Sequence, residues 1–128
     1  MSNISSKVSE AETEVLKVLW ANKEPMTERN VMDTLGETSD WSQATIKTLL
    51  KRLFDKGVVQ REKRDVFYYS PLLSEADFEK GRTEDFVNKV FGGNAKGLLS
   101  TMLNNDILSE DDLGELKNYW KNRGKKDE

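Results

Sequence analysis

Between residues 42 and 57 the chain runs SQATIKTLLKRLFDKG, and three kinds of side chain there could do chemistry. Thr48 carries a hydroxyl and Gln43 an amide, while Lys47, Lys51 and Arg52 carry positive charge. None forms a nucleophile–base pair. Their chemistry is hydrogen bonding and charge neutralisation. Short hydroxylic or small side chains can approach base edges in a DNA groove, and lysine and arginine reach phosphate oxygens. Enzymatic alternatives are thin. The chain has 0 histidines and 0 cysteines, which removes the commonest general base, thiol nucleophiles, disulfides and thiolate metal sites. Carboxylates such as Asp111 and Asp112 read as charges at a helix N-terminus favoured by the dipole. No enzyme, metal or cofactor is expected.

These residues need an element to position them. At about 100° per residue in a helix, Ile46, Leu49, Leu50 and Leu53 fall on one side. Ala44, Thr48, Lys51 and Asp55 fall on the other, with Lys47 and Arg52 flanking. Ser42 caps this helix and Gly57 ends it. A helix pushed end-first into a major groove needs this pattern of small residues near its start and cations along its edges. Ala44 and Thr48 suit contact with a thymine methyl or a base-edge partner, and Gln43 can reach adenine. Lys47, Lys51 and Arg52 suit phosphates, as do Lys63 and Arg64 just downstream. A lysine-rich exposed face is ordinarily a solvated surface. Charge distribution argues for more than that. The chain is acidic, net −3, yet residues 43–64 hold seven cations and two anions.

The surrounding elements follow from capping and periodicity. Ser9 with Glu12 makes a capping box for a first helix whose apolar face is Ala11, Val15, Val18 and Leu19, ended by Pro25. Thr27 caps a second helix that buries Val31 and Leu35 and stops at Gly36. After Gly57 the period changes: residues 58–61 and 66–70 are strand-forming runs around the polar tip 62–65, which reads as a hairpin. Tyr68 and Tyr69 point to opposite faces, so one of them is core. Three helices and a hairpin are the order of a winged helix-turn-helix. Beyond Pro71 the pattern is helical: Ser74 with Asp77 opens a helix carrying Phe78, Phe86, Val87, Val90 and Phe91, ended by Gly92 and Gly93. Leu98, Leu99, Met102 and Leu103 mark another, and Ser109 with Asp112 caps a last one with the stripe Leu113, Leu116 and Trp120. The predicted fold class is mainly α with a small β-hairpin wing. It comprises a winged-helix DNA-binding domain at 1–73, a helical dimerisation domain at 74–122 and a frayed tail at 123–128. With 36% hydrophobic residues a monomeric core would be thin, so oligomerisation is expected. No apolar run spans a membrane and the polar N-terminus is no signal peptide, so a cytoplasmic location is expected.

The stretches SEAETEVLKVLW, WSQATIKTLLKRLFDKGVVQREKRDVFYYSPL and FVNKVFGG together resemble the penicillinase repressor family, from about Ser9 to Trp120. That bacterial family includes β-lactamase, methicillin-resistance and copper-export repressors, and Trp41 with TIKTLL is closest in wording to the copper-responsive branch. The resemblance implies a homodimer that represses transcription at a palindromic double-stranded operator carrying TACA/TGTA half-sites. It places Thr45 and Thr48 at base-contacting positions and Lys47 and Arg52 near phosphates. It also assigns Phe78, Phe86, Val90, Leu113, Leu116 and Trp120 to the dimer interface; an intramolecular core is the alternative for those stripes. Copper-responsive members carry a C-terminal pair of Cys-x-Cys motifs, absent from the tail KNRGKKDE. β-Lactam-responsive members are cut at an Asn-Phe bond where this chain has Thr101-Met102. The inducer, a regulatory protease or another signal, and the target genes are therefore left open. A winged-helix module that binds a protein instead of DNA is the alternative function.

Overall fold

A computed structural model describes residues 3–126. Each helix start is set by a short polar side chain. In α1 (Glu10–Ala21) the Ser9 hydroxyl accepts from the Glu12 N–H while Glu12 Oε1 accepts from the Ser9 N–H. Thr27 and Asn30 exchange the same pair of bonds at α2 (Glu28–Leu35), and the Ser42 hydroxyl accepts from the Thr45 N–H at α3 (Gln43–Asp55). These bonds satisfy backbone donors that a helix start otherwise leaves unpaired. At the end of α3, Gly57 takes φ 78, a left-handed conformation that costs glycine little.

The hairpin pairs β2 (Val59–Lys63) with β3 (Phe67–Pro71), in the register Arg61 with Tyr69 and Lys63 with Phe67. A strand not foreseen from the sequence, β1 (Met26–Thr27), pairs with the other edge of β3, giving the order β1-β3-β2. Two residues are too short for an alternation signal to register. A 3-10 turn at Ile4–Lys7 also went unforeseen.

Val15, Leu16 and Leu19 of α1, Val31 and Leu35 of α2, and Ile46, Leu49, Leu50 and Leu53 of α3 form the core with Val58, Val59 and Tyr69. Leu16, absent from the expected stripe of α1, is fully buried, whereas Ala11 and Val18 sit at the margin. Tyr69 is the core tyrosine of its pair.

The chain forms two compact units, Met1–Asp85 and Phe86–Glu128, so the first extends past the expected boundary at residue 73. The reason lies in α4 (Glu75–Phe91). Phe78, expected in the dimer interface, is instead 6% exposed in the winged-helix core, its ring 5.3 Å from that of Trp20. Trp20 Nε1 donates to the Leu73 carbonyl, and the Arg82 guanidinium donates to the Val8 carbonyl while stacking over Phe78. The early turns of α4 thus belong to the first unit.

In the second unit, Gly92 and Gly93 end α4 with positive φ. Asn94 caps α5 (Ala95–Asn104), and Ser109 and Asp112 exchange capping bonds at α6 (Glu110–Lys126). The helix continues through residues 123–126, where a frayed tail was expected; residues 127 and 128 lie outside the described residues. None of the described residues of this unit is buried, and Phe86, Val90, Leu116, Tyr119 and Trp120 are exposed. The bond between Thr101 and Met102 lies within α5, so a protease could reach it only after local unwinding. No described helix is long and apolar enough to cross a membrane.

Candidate nucleic-acid interface

The buried face of α3 fixes what its other face presents. With Ile46, Leu49, Leu50 and Leu53 inward, the side chains of Gln43, Ala44, Thr45, Lys47, Thr48, Lys51 and Arg52 are all exposed. The Thr48 hydroxyl donates to the Ala44 carbonyl at 3.0 Å, which leaves its lone pairs and methyl for an outside partner. The Thr45 hydroxyl lies 3.1 Å from that of Ser42.

Between α3 and the hairpin runs a groove of about 750 Å³, with the first turn of α2 at one end. It gathers Gln43, Lys47 and Lys51 from α3 and Lys63 from the wing. Ala44, Thr45, Thr48 and Arg52 are exposed on α3 outside the groove lining, and so is Arg64 at the hairpin tip. The predicted contacts therefore divide between a cationic trough and a projecting helix face.

Acidic side chains already engage several of these groups. Lys51 Nζ pairs with Asp55 at 2.9 Å across one helical turn. Gln43 Nε2 donates to Glu28 Oε1 at 3.3 Å. Arg64 Nε donates to Glu62 Oε1 at 2.6 Å, and that carboxylate raises the guanidinium above its ordinary pKa. A phosphate approaching Lys51 or Arg64 must compete with an anion already there, at exposed sites where each pair is worth little.

The sequence reading missed the groove's aromatic component. Along β2, Val59, Arg61 and Lys63 alternate onto one face. The Arg61 guanidinium carbon lies 4.0 Å from the centroid of the Phe54 ring and 4.3 Å from that of Phe67. Lys63 also lies over Phe67, and Arg64 over Tyr68. The period-two pattern from Val59 onward was the signal that could have found Arg61. Glu28 and Arg29, at the start of α2, also line the groove and had no such signal. Among the described residues no cluster could hold a metal ion.

Comparison with known proteins agrees with this architecture. The family model described as the penicillinase repressor matches residues 8–122. The methicillin resistance regulatory protein MecI of Staphylococcus aureus is 34% identical over 119 residues, covering 92% of this chain and 96% of that protein. The penicillinase repressor of Bacillus licheniformis is 36% identical over 111 residues, covering 86% of each. Among solved structures, the DNA-binding domain of the repressor BlaI is 40% identical. It covers 60% of this chain and 93% of its own, with a TM-score of 0.52. A winged helix with this sequence likeness, matched over nearly the whole length, places the chain in the penicillinase repressor family.

Proposed function

We propose that this protein is a transcriptional repressor that binds, as a homodimer in the cytoplasm, a palindromic operator with TACA/TGTA half-sites. One observation carries the reading: the exposed face of α3 offers small and hydroxylic groups flanked by cations, and the wing supplies further cations across the adjoining groove. Gln43, Ala44, Thr45 and Thr48 read base edges in the major groove; Lys47, Lys51, Arg52, Lys63 and Arg64 hold phosphates and set the register. Phe86, Val90, Leu113, Leu116 and Trp120 form the dimer seam, because the second unit buries none of its described residues in a single chain. Two recognition helices then address half-sites about 10 base pairs apart, or a multiple of that, and occlude the promoter.

A mobility-shift titration tests this. The full chain should retard a TACA/TGTA palindrome at concentrations that leave a shuffled duplex free, with affinity falling steeply as salt rises. Equal retardation of both duplexes, or none of either, would overturn the reading, the latter in favour of a winged helix that binds protein.

A further inference from the structure

Arg61 differs from every other cation of the wing in how it is held. Its guanidinium lies between two aromatic rings from separate elements, Phe54 at 4.0 Å on α3 and Phe67 at 4.3 Å on β3. The side chain therefore bridges the recognition helix and the hairpin. Rings packed on the faces of a guanidinium leave open the edge of its plane, where its N–H donors lie. No hydrogen bond or ion pair among the described residues engages that edge. The neighbours contrast with it: Arg64 is spent on Glu62, and Lys51 on Asp55. Arg61 is nonetheless exposed, and it lines the same groove as Lys47 and Lys63.

We infer that Arg61 is the wing's principal phosphate ligand, held ready by Phe54 and Phe67 to grip the DNA backbone beside the groove that α3 enters. The inference rests on the DNA-binding reading above and adds a residue and a physical device to it. An unrestrained arginine gives up rotamer freedom when it binds; one clamped between two rings has given it up already, so more of its attraction appears as affinity. A planar donor edge suits a phosphate's paired oxygens better than a lysine's single ammonium does. Because the clamp includes Phe54, the wing's grip is tied in register to the recognition helix rather than to the hairpin tip alone.

The test uses the full chain, with the operator and a shuffled duplex titrated across a salt series. Arg61→Ala should weaken binding to both duplexes about tenfold and make the log–log salt slope shallower by about one unit per subunit. Phe67→Leu keeps the charge but removes one wall of the clamp. It should weaken both duplexes while leaving the slope unchanged, with thermal unfolding recorded to show that the fold persists. Arg64→Ala should change affinity less than Arg61→Ala. Three results would overturn the inference: an Arg61→Ala protein with wild-type affinity and slope, a loss confined to the operator, or a larger effect at Arg64 than at Arg61. Failure of the wild-type chain to bind either duplex would instead remove the underlying function.

Discussion

Lys56 Nζ lies 2.6 Å from Glu12 Oε1, so the C-cap of the recognition helix is bonded to the first turn of α1. Glu12 is only 1% exposed, and its carboxylate also accepts from the Ser9 N–H. Lys56 donates in addition to the Lys7 carbonyl. Burial pushes the Glu12 carboxyl up, but the Lys56 and Ser9 hydrogen bonds, with the charges of Lys56 and Arg52, outweigh it and hold it below its ordinary value. A depressed carboxyl stabilises the fold fully above its unfolded pKa, and that contribution drains away as pH falls through the lower folded value. Urea unfolding across the acid range should therefore show stability falling below about pH 4.3. Glu12→Gln should lose part of that slope. Lys56→Met leaves a buried carboxylate short of its partner and should cost about 3 kcal/mol at neutral pH. Unchanged acid sensitivity in Glu12→Gln would assign the effect to other carboxylates.

Gly81 carries the second tie between distant parts of the first unit. A Cβ built there would meet the Ser5 side chain, with Ser5 Cβ at 2.8 Å, and Asn3 Nδ2 donates to the Gly81 carbonyl. Ser5 is itself buried, so it has no room to retreat. Gly81→Ala should lower stability by about 1–3 kcal/mol despite alanine's better helix propensity. Gly114, also helical, has nothing within 4 Å of a built Cβ. Gly114→Ala should therefore gain up to about 1 kcal/mol. Thermal unfolding of the two variants decides; parallel changes would mean that the close approach at Gly81 relaxes freely.

What could be read in the sequence was what repeats or caps. Ser9, Thr27, Ser42, Ser74 and Ser109 announce helix starts because a hydroxyl ahead of an amphipathic run has a specific bonding role there. The inner face of α3 was legible because four large aliphatics recur at helical spacing, and its outer face followed by subtraction. Phe78 could not be placed in the same way. It shares a continuous helical stripe with Phe86 and Val90, and periodicity reports only that a face is covered, not whether the cover is its own domain or another chain. Trp20 and Gly81, which draw the first turns of α4 into the first unit, are long-range partners invisible to a local pattern. Arg61 was obscured because its partners come from two elements, and charge counting treats all cations alike.

On the proposed reading, Thr48 serves specificity and Lys51 serves affinity. With its proton donated to the Ala44 carbonyl, the hydroxyl of exposed Thr48 can only accept from a base edge. Thr48→Ala should reduce the ratio of operator to shuffled binding by about tenfold while sparing affinity for shuffled DNA. Lys51→Ala should weaken both duplexes and flatten the salt slope by about one unit per subunit. Asp55→Asn, by releasing Lys51 and removing an anion near phosphate, should tighten both by up to about fivefold. Equal losses for Thr48→Ala on both duplexes would end the division of roles between these neighbours.

Phe78 and Trp120 carry opposite expectations although both are aromatic residues on helices of the C-terminal half. Phe78 is packed against Trp20 inside the first unit, so Phe78→Ala should cost about 3–5 kcal/mol and lower the melting temperature of the winged helix. Trp120 is 66% exposed in the single chain, beside exposed Leu116 and Tyr119. Trp120→Asp should leave helix content unchanged, yet convert the proposed dimer to monomer in sedimentation velocity. Operator affinity should then fall steeply, because one half-site contact can no longer raise the effective concentration of the second recognition helix. A Trp120→Asp protein that sediments as a dimer would move the seam away from α6. A Phe78→Ala protein that becomes a well-folded monomer would return Phe78 to the interface from which its burial removes it.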